Sequence, residues 1–280
     1  MPDLDAKRER LTEYIAGFES CAVAFSAGVD STVVACAAQQ VLGDRAVAVT
    51  AVSASLPGGE LESARELAGQ IGIRHQVIET DEFANQDYTR NAPDRCYHCK
   101  TELYSRLEKL APELDVEVLF NRANLDDLGD YRPGMTAASE HAVRSPLIET
   151  GLDKQDVRDL AAYWKLPVWN KPASPCLSSR VAYGLEVTPE RLARIDAAEQ
   201  FLRSRGFSPL RVREHPGHLA RVEVPLDQVQ RLCQQPLLGQ LNDYLQELGY
   251  KSVTVDKEGF RSGNLNQLVT LDAGPVKEDL

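Results

Sequence analysis

Short apolar runs broken by small-residue turns fill the first half of the chain. Residues 22–25 and 46–54 are nearly continuous apolar runs, the pattern of strands buried on both faces. Residues 75–79 and 116–120 read as two further strands. Around them the spacing turns helical. Leu4, Leu11, Ile15 and Phe18 recur on one face of 3–18, an Ala- and Val-rich helix runs from Thr32 to a stop at Gly43, and 61–71 ends at Gly72. Helices follow at 101–110 and 154–164, with a turn at Ser145-Pro146-Leu147 and a short strand at 167–169. Strands alternating with helices in this way predict an α/β fold built on a parallel, doubly wound sheet. The pattern changes near Tyr183 to Leu185, which sets a boundary between 1–184 and 185–280. Beyond it, helices at 189–205, 226–234 and 237–248 and strands at 210–215, 219–224 and 252–256 predict a smaller α+β domain.

A chain of 280 residues is long enough for one large or two medium domains. No apolar run approaches the roughly 20 residues that cross a bilayer, and the first residues do not read as a signal peptide. The net charge of −11 disfavours a general nucleic-acid binder. Six cysteines without secretory features point to a reducing compartment and to metal or catalytic roles for some of them. The expectation is a cytoplasmic protein with neither nucleic acid nor membrane as partner.

The candidate chemistry clusters in loops. Ser26-Ala27-Gly28-Val29-Asp30-Ser31 joins a strand to a helix start, where free amides at the positive end of the helix dipole make an anion site. The turn lacks the Gly-Lys-Ser/Thr ending of a Walker A loop and resembles instead the PP-loop, S-G-G-x-D-S, which grips the pyrophosphate of ATP. Ala27 stands where that pattern has Gly, so a positive φ there would cost about 1 kcal/mol. Ser53 and Ser55 lie at the C-terminal end of the second strand, where open sheets place ligands. The loop Asn121 to Gly134 carries Asn124, Asp126, Asp127, Asp130 and Arg132; its carboxylates suit Mg²⁺ beside a polyphosphate, or simply cap a solvated loop. Cys96-Tyr97-His98-Cys99-Lys100 holds a C-x-x-C, open to redox, metal or incidental readings. Cys176 is flanked by Lys171 and Arg180, cations that favour a thiolate, whereas Cys21, Cys36 and Cys233 sit in apolar runs and read as buried. Arg211 and Arg213 share one strand face, which suits a phosphate monoester or a cross-strand ion-pair ladder with Arg221 and Glu223.

Taken in order, the PP-loop, C-Y-H-C-K, N-L-D-D-L-G-D-Y-R-P-G, K-P-A-S-P-C-L-S-S-R, R-V-R-E-H, A-R-V-E-V and G-F-R-S-G closely resemble the LarE family over residues 5–270. These are ATP-dependent sulfur transferases of nickel-pincer nucleotide biosynthesis. The resemblance implies a pyridinium-3,5-biscarboxylic acid mononucleotide substrate, adenylation of its carboxylates by MgATP, and their conversion to thiocarboxylates. It implies that Ser26, Ala27, Gly28, Val29, Asp30, Ser31, Ser53, Asn124, Asp127 and Arg132 hold ATP. By the same resemblance Arg211, Arg213, Arg221 and Glu223 serve the substrate phosphate, with Lys100 and Glu199 near the active centre. Family members with one such cysteine surrender its sulfur and keep dehydroalanine; those with three carry a 4Fe–4S cluster. Cys96, Cys99 and Cys176 therefore imply a cluster that takes sulfur from sulfide or another donor. The family also implies a homo-oligomer.

Overall fold

The computed structural model describes residues 2–129 and 133–261. In chain order the elements are α1 (Pro2–Ala16), β1 (Cys21–Ala24), α2 (Val29–Leu42), β2 (Ala46–Val52), α3 (Glu60–Ile71), β3 (Arg74–Glu79), α4 (Gln86–Thr89) and α5 (Arg95–Leu114). They continue with β4 (Val118–Phe120), α6 (Pro133–Glu140), α7 (Pro146–Glu149), α8 (Lys154–Tyr163) and α9 (Pro189–Arg203). The last are β5 (Arg211–His215), β6 (Leu219–Glu223), α10 (Leu226–Leu232), α11 (Leu237–Glu247) and β7 (Ser252–Val255). Backbone contacts divide the chain into a first unit, Met1–Asn85 with Asp94–Pro175, and a second, Gln86–Pro93 with Cys176–Leu280. That division falls nine residues before the change of pattern at Leu185, and it draws in a separate segment from the first half.

The first unit is the predicted α/β fold. Its sheet runs β3-β2-β1-β4 with every pairing parallel. The apolar runs behave as expected: Cys21 to Val23 and Ala46 to Thr50 are buried, while the edge strand β3 alternates with solvent. Small side chains on α2 (Ala35, Ala37 and Ala38, all shielded from water) let it lie close within the core that also holds Leu11, Ile15, Leu160 and Ala161. Burying a Leu11 or Ile15 side chain stabilises the unit by about 1.5–3 kcal/mol each.

Around Glu149 the unit is pinned by charge. Arg144 Nε and Nη2, Tyr14 Oη (2.7 Å) and Ser145 N–H (3.0 Å) all donate to its carboxylate. The Arg144 guanidinium holds Glu149 down from 4.5 to about 2. A carboxylate depressed by folding contributes stability above its unfolded pKa and loses it as the pH falls from 4.5 toward about 2. Glu149 is partly exposed, so solvent screening leaves about 1 kcal/mol of this. Urea unfolding at pH 6 and pH 3 should show a smaller acid loss in Glu149→Gln than in the unaltered chain; equal losses would refute the assignment.

The second unit packs α9, α10 and α11 on one face of a sheet ordered β5-β6-β7, antiparallel then parallel. Val212, Ala220 and Val222 face those helices. Arg211, Arg213, Arg221 and Glu223 alternate to the opposite face. The Gln86–Pro93 segment is sewn in by Val187 N–H to Thr89 O (2.8 Å), Asn91 Nδ2 to Ala182 O (2.9 Å) and a 2.6 Å contact between Tyr88 Oη and Ser178 Oγ.

Three local expectations are corrected. Residues 167–169 form turns, with Trp169 N–H on Leu166 O and Lys171 N–H on Val168 O, because Pro167 has no N–H for a ladder. The helix expected from Thr101 begins at Arg95, so Cys96 and Cys99 are helical. Cys233 is exposed, since α10 ends with Leu232 in the core position and the next side chain points outward.

Candidate active site

In this strand order β1 and β4 are neighbours although β2 and β3 intervene in the chain. Loops leaving such a switch point diverge and open a crevice at the strands' carboxyl ends, where open α/β sheets bind ligands. The loop leaving β1 is the PP-loop-like turn. Gly28 is the N-cap of α2, extended at φ −84°, with no side chain on the helix's free amides. Those amides stay open to an anion at the positive end of the dipole. Ser31 closes the turn from behind: its Oγ donates to Gly28 O (3.1 Å) and accepts from Ser26 N–H (3.2 Å). Thr32 Oγ1 also donates to Gly28 O, at 2.8 Å.

Ala27 adopts the left-handed conformation, φ +54°, and is wholly buried. The strain of about 1 kcal/mol is nearly matched by about 0.8 kcal/mol from its buried methyl. Ala27→Gly removes both and adds chain entropy to the unfolded state. Thermal melting should therefore find this variant within about 1 kcal/mol of the original; a gain of about 2 kcal/mol would exceed the whole strain and refute this balance.

Asp30, 4% exposed, joins the two loops of the switch point. Asn124 Nδ2 donates to its Oδ1 at 3.0 Å and Lys154 Nζ to its Oδ2 at 2.5 Å, with Arg122 at 3.9 Å. Asp127 accepts the Asn124 N–H at 3.1 Å, shaping the β4 loop. Lys171 Nζ donates to Ala27 O (3.3 Å) and Glu60 Oε2 (2.7 Å), so its charge is spent on the phosphate turn. This replaces the expectation that it activates Cys176. Beyond β2, Ser53 Oγ donates to Glu82 at 2.6 Å. Arg132 and Asp130 lie outside the described residues. Among the described residues no group of three or more His, Cys, Asp and Glu side chains is arranged to hold a metal ion.

The first turns of α5 present Cys96, exposed, and Cys99, half-buried, three residues apart and so on one face. Lys100 follows them, and α6 presses on it: a Cβ added at Gly134 would stand 3.0 Å from Lys100 Cγ. Cys176 belongs to the second unit, half-buried at the N-cap of a short 3-10 turn, Leu177–Arg180. Thiols with access to solvent are the soft donors that iron–sulfur clusters use, and the two on α5 share one helix face. Burial pushes the Cys21 thiol up to about 12 and the Cys36 thiol up to about 11, which suits inert core residues.

Arg180, expected to stabilise a Cys176 thiolate, is fully buried and otherwise committed. Its Nε and Nη2 bind Glu199 at 3.0 and 3.2 Å, and Nη1 donates to the Cys176 carbonyl at 3.0 Å. Glu199, also fully buried, accepts further bonds from Arg203 Nη2 (2.5 Å) and Val212 N–H (3.1 Å). Glu199 is thus the hub of the second unit's interior. Arg213 binds Glu223 at 2.7 Å and Ser179 O at 3.2 Å, and Arg221 pairs with Asp256, so a ladder exists on this face. Arg211 differs. It is 7% exposed, and burial and then Arg180 push its guanidinium down to about 10. Arg180, Arg203, Arg211 and Arg213 face two buried carboxylates, Glu199 and Glu223, with Asp196 3.9 Å from Arg203. Four guanidiniums gathered about one small sheet are the kind of donors that recognise a phosphate.

A family model described as NAD synthase matches residues 5–107. An uncharacterized protein of Synechocystis is 46% identical over 267 residues, covering 95% of this chain and 99% of that protein. The pyridinium-3,5-bisthiocarboxylic acid mononucleotide synthase of Lactiplantibacillus plantarum is 38% identical over 271 residues, 96% of this chain and 97% of the synthase. The chain belongs to the LarE family. A tRNA-specific 2-thiouridylase of Beijerinckia indica is 32% identical over 191 residues, 54% of this chain and 44% of that enzyme.

Several residues of this LarE-family site carry no motif of their own. Lys154 stands 124 positions from Asp30, and only the start of a helix marks it. Glu82, 29 positions from Ser53, falls in a stretch with no helical or alternating pattern. No helix among the described residues is long and apolar enough to cross a membrane.

Proposed function

We propose that this LarE-family chain is an ATP-dependent sulfurtransferase that makes both thiocarboxylates of the nickel-pincer nucleotide precursor. A carboxylate oxygen of pyridinium-3,5-biscarboxylic acid mononucleotide attacks the α-phosphorus of MgATP. Pyrophosphate departs with the electron pair of the broken P–O bond, leaving an acyl-adenylate. A sulfur nucleophile then adds to the acyl carbon and AMP leaves with the C–O electron pair; the second carboxylate follows the same course. The observation that carries this reading is the turn Ser26 to Ser31, whose uncapped amides at a switch point suit the charge that grows on departing pyrophosphate. Asp30 and Asn124 fasten it to the β4 loop, and Asp127 shapes that loop. Arg132 would meet a phosphate or carboxylate from the same loop. The guanidiniums of Arg211 and Arg213, side by side on one strand face, suit the substrate's phosphate monoester, with Glu223 fixing Arg213, Glu199 fixing Arg180 and Arg203, and Arg221 on the same sheet face.

For sulfur, Cys96, Cys99 and Cys176 would hold a 4Fe–4S cluster. Three thiolates leave one iron open, so the bound cluster would supply sulfide taken from a donor. The competing route, Cys176 yielding its own sulfur and remaining as dehydroalanine, needs neither of the other cysteines. The family relationship also supports a cytoplasmic homo-oligomer acting on a small molecule. The test is an anaerobic assay with MgATP, the dicarboxylate mononucleotide and sulfide, expected to yield AMP, pyrophosphate and thiocarboxylate. ADP in place of AMP would refute the adenylation. Tight binding of bulk tRNA at low salt would favour a tRNA thiolase instead, a reading the acidic charge of −11 opposes.

A further inference from the structure

Glu82 follows β3 and is 2% exposed. Its Oε1 lies 2.6 Å from Ser53 Oγ and 2.9 Å from Ser55 Oγ, and the two hydroxyls are 2.9 Å apart. Ser55 N–H donates to Ser53 Oγ at 3.1 Å. Each serine hydroxyl owns one hydrogen. Either both donate to Oε1, or one donates to the other, which then donates to Oε1. In every arrangement both hydrogens stay inside the trio, so outward it offers lone pairs alone. Glu82 Oε2 is buried with no hydrogen-bond partner among the described residues. Leaving such an oxygen unmet is costly, and more so for a charged group.

A trio of acceptors repels phosphate and requires a hydrogen-bond donor. Its place in the sheet says which part of a nucleotide this is. β2 lies beside β1, with Val49 opposite Ala24 at the entry to the phosphate turn. Ser53 stands four residues farther on, about 13 Å along the strand direction. We propose that Glu82 is a positioning and specificity-determining residue that holds Ser53 and Ser55 as acceptors for the donors of the ATP nucleoside, either the ribose hydroxyls or the adenine 6-amino group. This rests on the ATP reading given above. Glu82 acts by taking up the serine hydrogens and by leaving Oε2 for the ligand.

The experiment is calorimetric titration of the full chain with Mg²⁺ and ATP, 2′-deoxy-ATP, 3′-deoxy-ATP, inosine triphosphate or tripolyphosphate, without the acid substrate. At least one modified nucleotide should bind about tenfold more weakly than ATP, the scale of one charge-assisted hydrogen bond. Weak deoxy analogues identify the ribose, and weak inosine triphosphate identifies the amino group. Glu82→Gln puts an amide donor among the acceptors, so discrimination should shrink to within about twofold while tripolyphosphate binds as before. Ser53→Ala serves the same purpose should that variant not fold. Equal binding of every nucleotide by the unaltered protein overturns the proposal, as does a folded Glu82→Gln chain that still discriminates fully. Failure to bind both ATP and tripolyphosphate would instead remove the ATP reading beneath it.

Discussion

Replacing Cys176 with alanine should abolish thiocarboxylate formation and leave acid-dependent pyrophosphate release in place. The two halves of the proposed reaction use different groups. Adenylation needs the open amides of the Ser26 to Ser31 turn and asks nothing of a thiol. Sulfur delivery needs Cys176 by either route. The substitution also spares the fold, because Arg180 and Ser179 donate to the Cys176 backbone carbonyl and not to its sulfur. The melting transition should stay within about 0.5 kcal/mol of the original. Quantifying pyrophosphate and thioacid side by side checks this, and thioacid from the alanine variant would refute a role for the thiol. Cys96→Ala then separates the routes. Under the cluster route it loses both iron and product; under the sacrificial route it still gives one sulfur per chain while Cys176 loses the elements of H₂S.

Glu199→Ala should be the most destabilising single change in the second unit. It leaves the Arg180 guanidinium, at 0% exposure, without its carboxylate, and strips Val212 N–H and Arg203 of an acceptor. Breaking a buried pair from one side costs about 3–5 kcal/mol, because the remaining charge stays desolvated. For a chain of this size that lowers the melting temperature by roughly 10 °C. The paired replacement Arg180→Leu with Glu199→Leu should recover much of the loss, since it removes both charges together. A Glu199→Ala protein that melts within 2 °C of the original would refute the hub role.

Much of this architecture can be read in the residues alone, where its cause is local. The buried strands β1 and β2 show as unbroken apolar runs because both faces are covered. The positive φ of Ala27 follows from its place in the turn, and the shared face of Arg211 and Arg213 from the twofold repeat of a strand. What escapes local reading is decided by distant partners. Arg180 looks like a neighbour of Cys176, yet a carboxylate 19 positions away claims its charge. Lys171 likewise serves Ala27, 144 positions earlier. The early start of α5 reflects packing of α6 against Cys96 and Lys100, which outweighs the modest helix propensity of Cys, Tyr and His.

The passage of Gln86–Pro93 through the second unit constrains how the gene can be cut. A stop after Pro175 yields a first half that still carries Thr89, Asn91 and Tyr88 but none of the backbone they join. A start at Cys176 yields a second half whose Val187 amide has lost the carbonyl that receives it. Neither fragment is a self-sufficient module, and recombination that swaps the tail of one relative for another must carry an eight-residue strap from far upstream along with it.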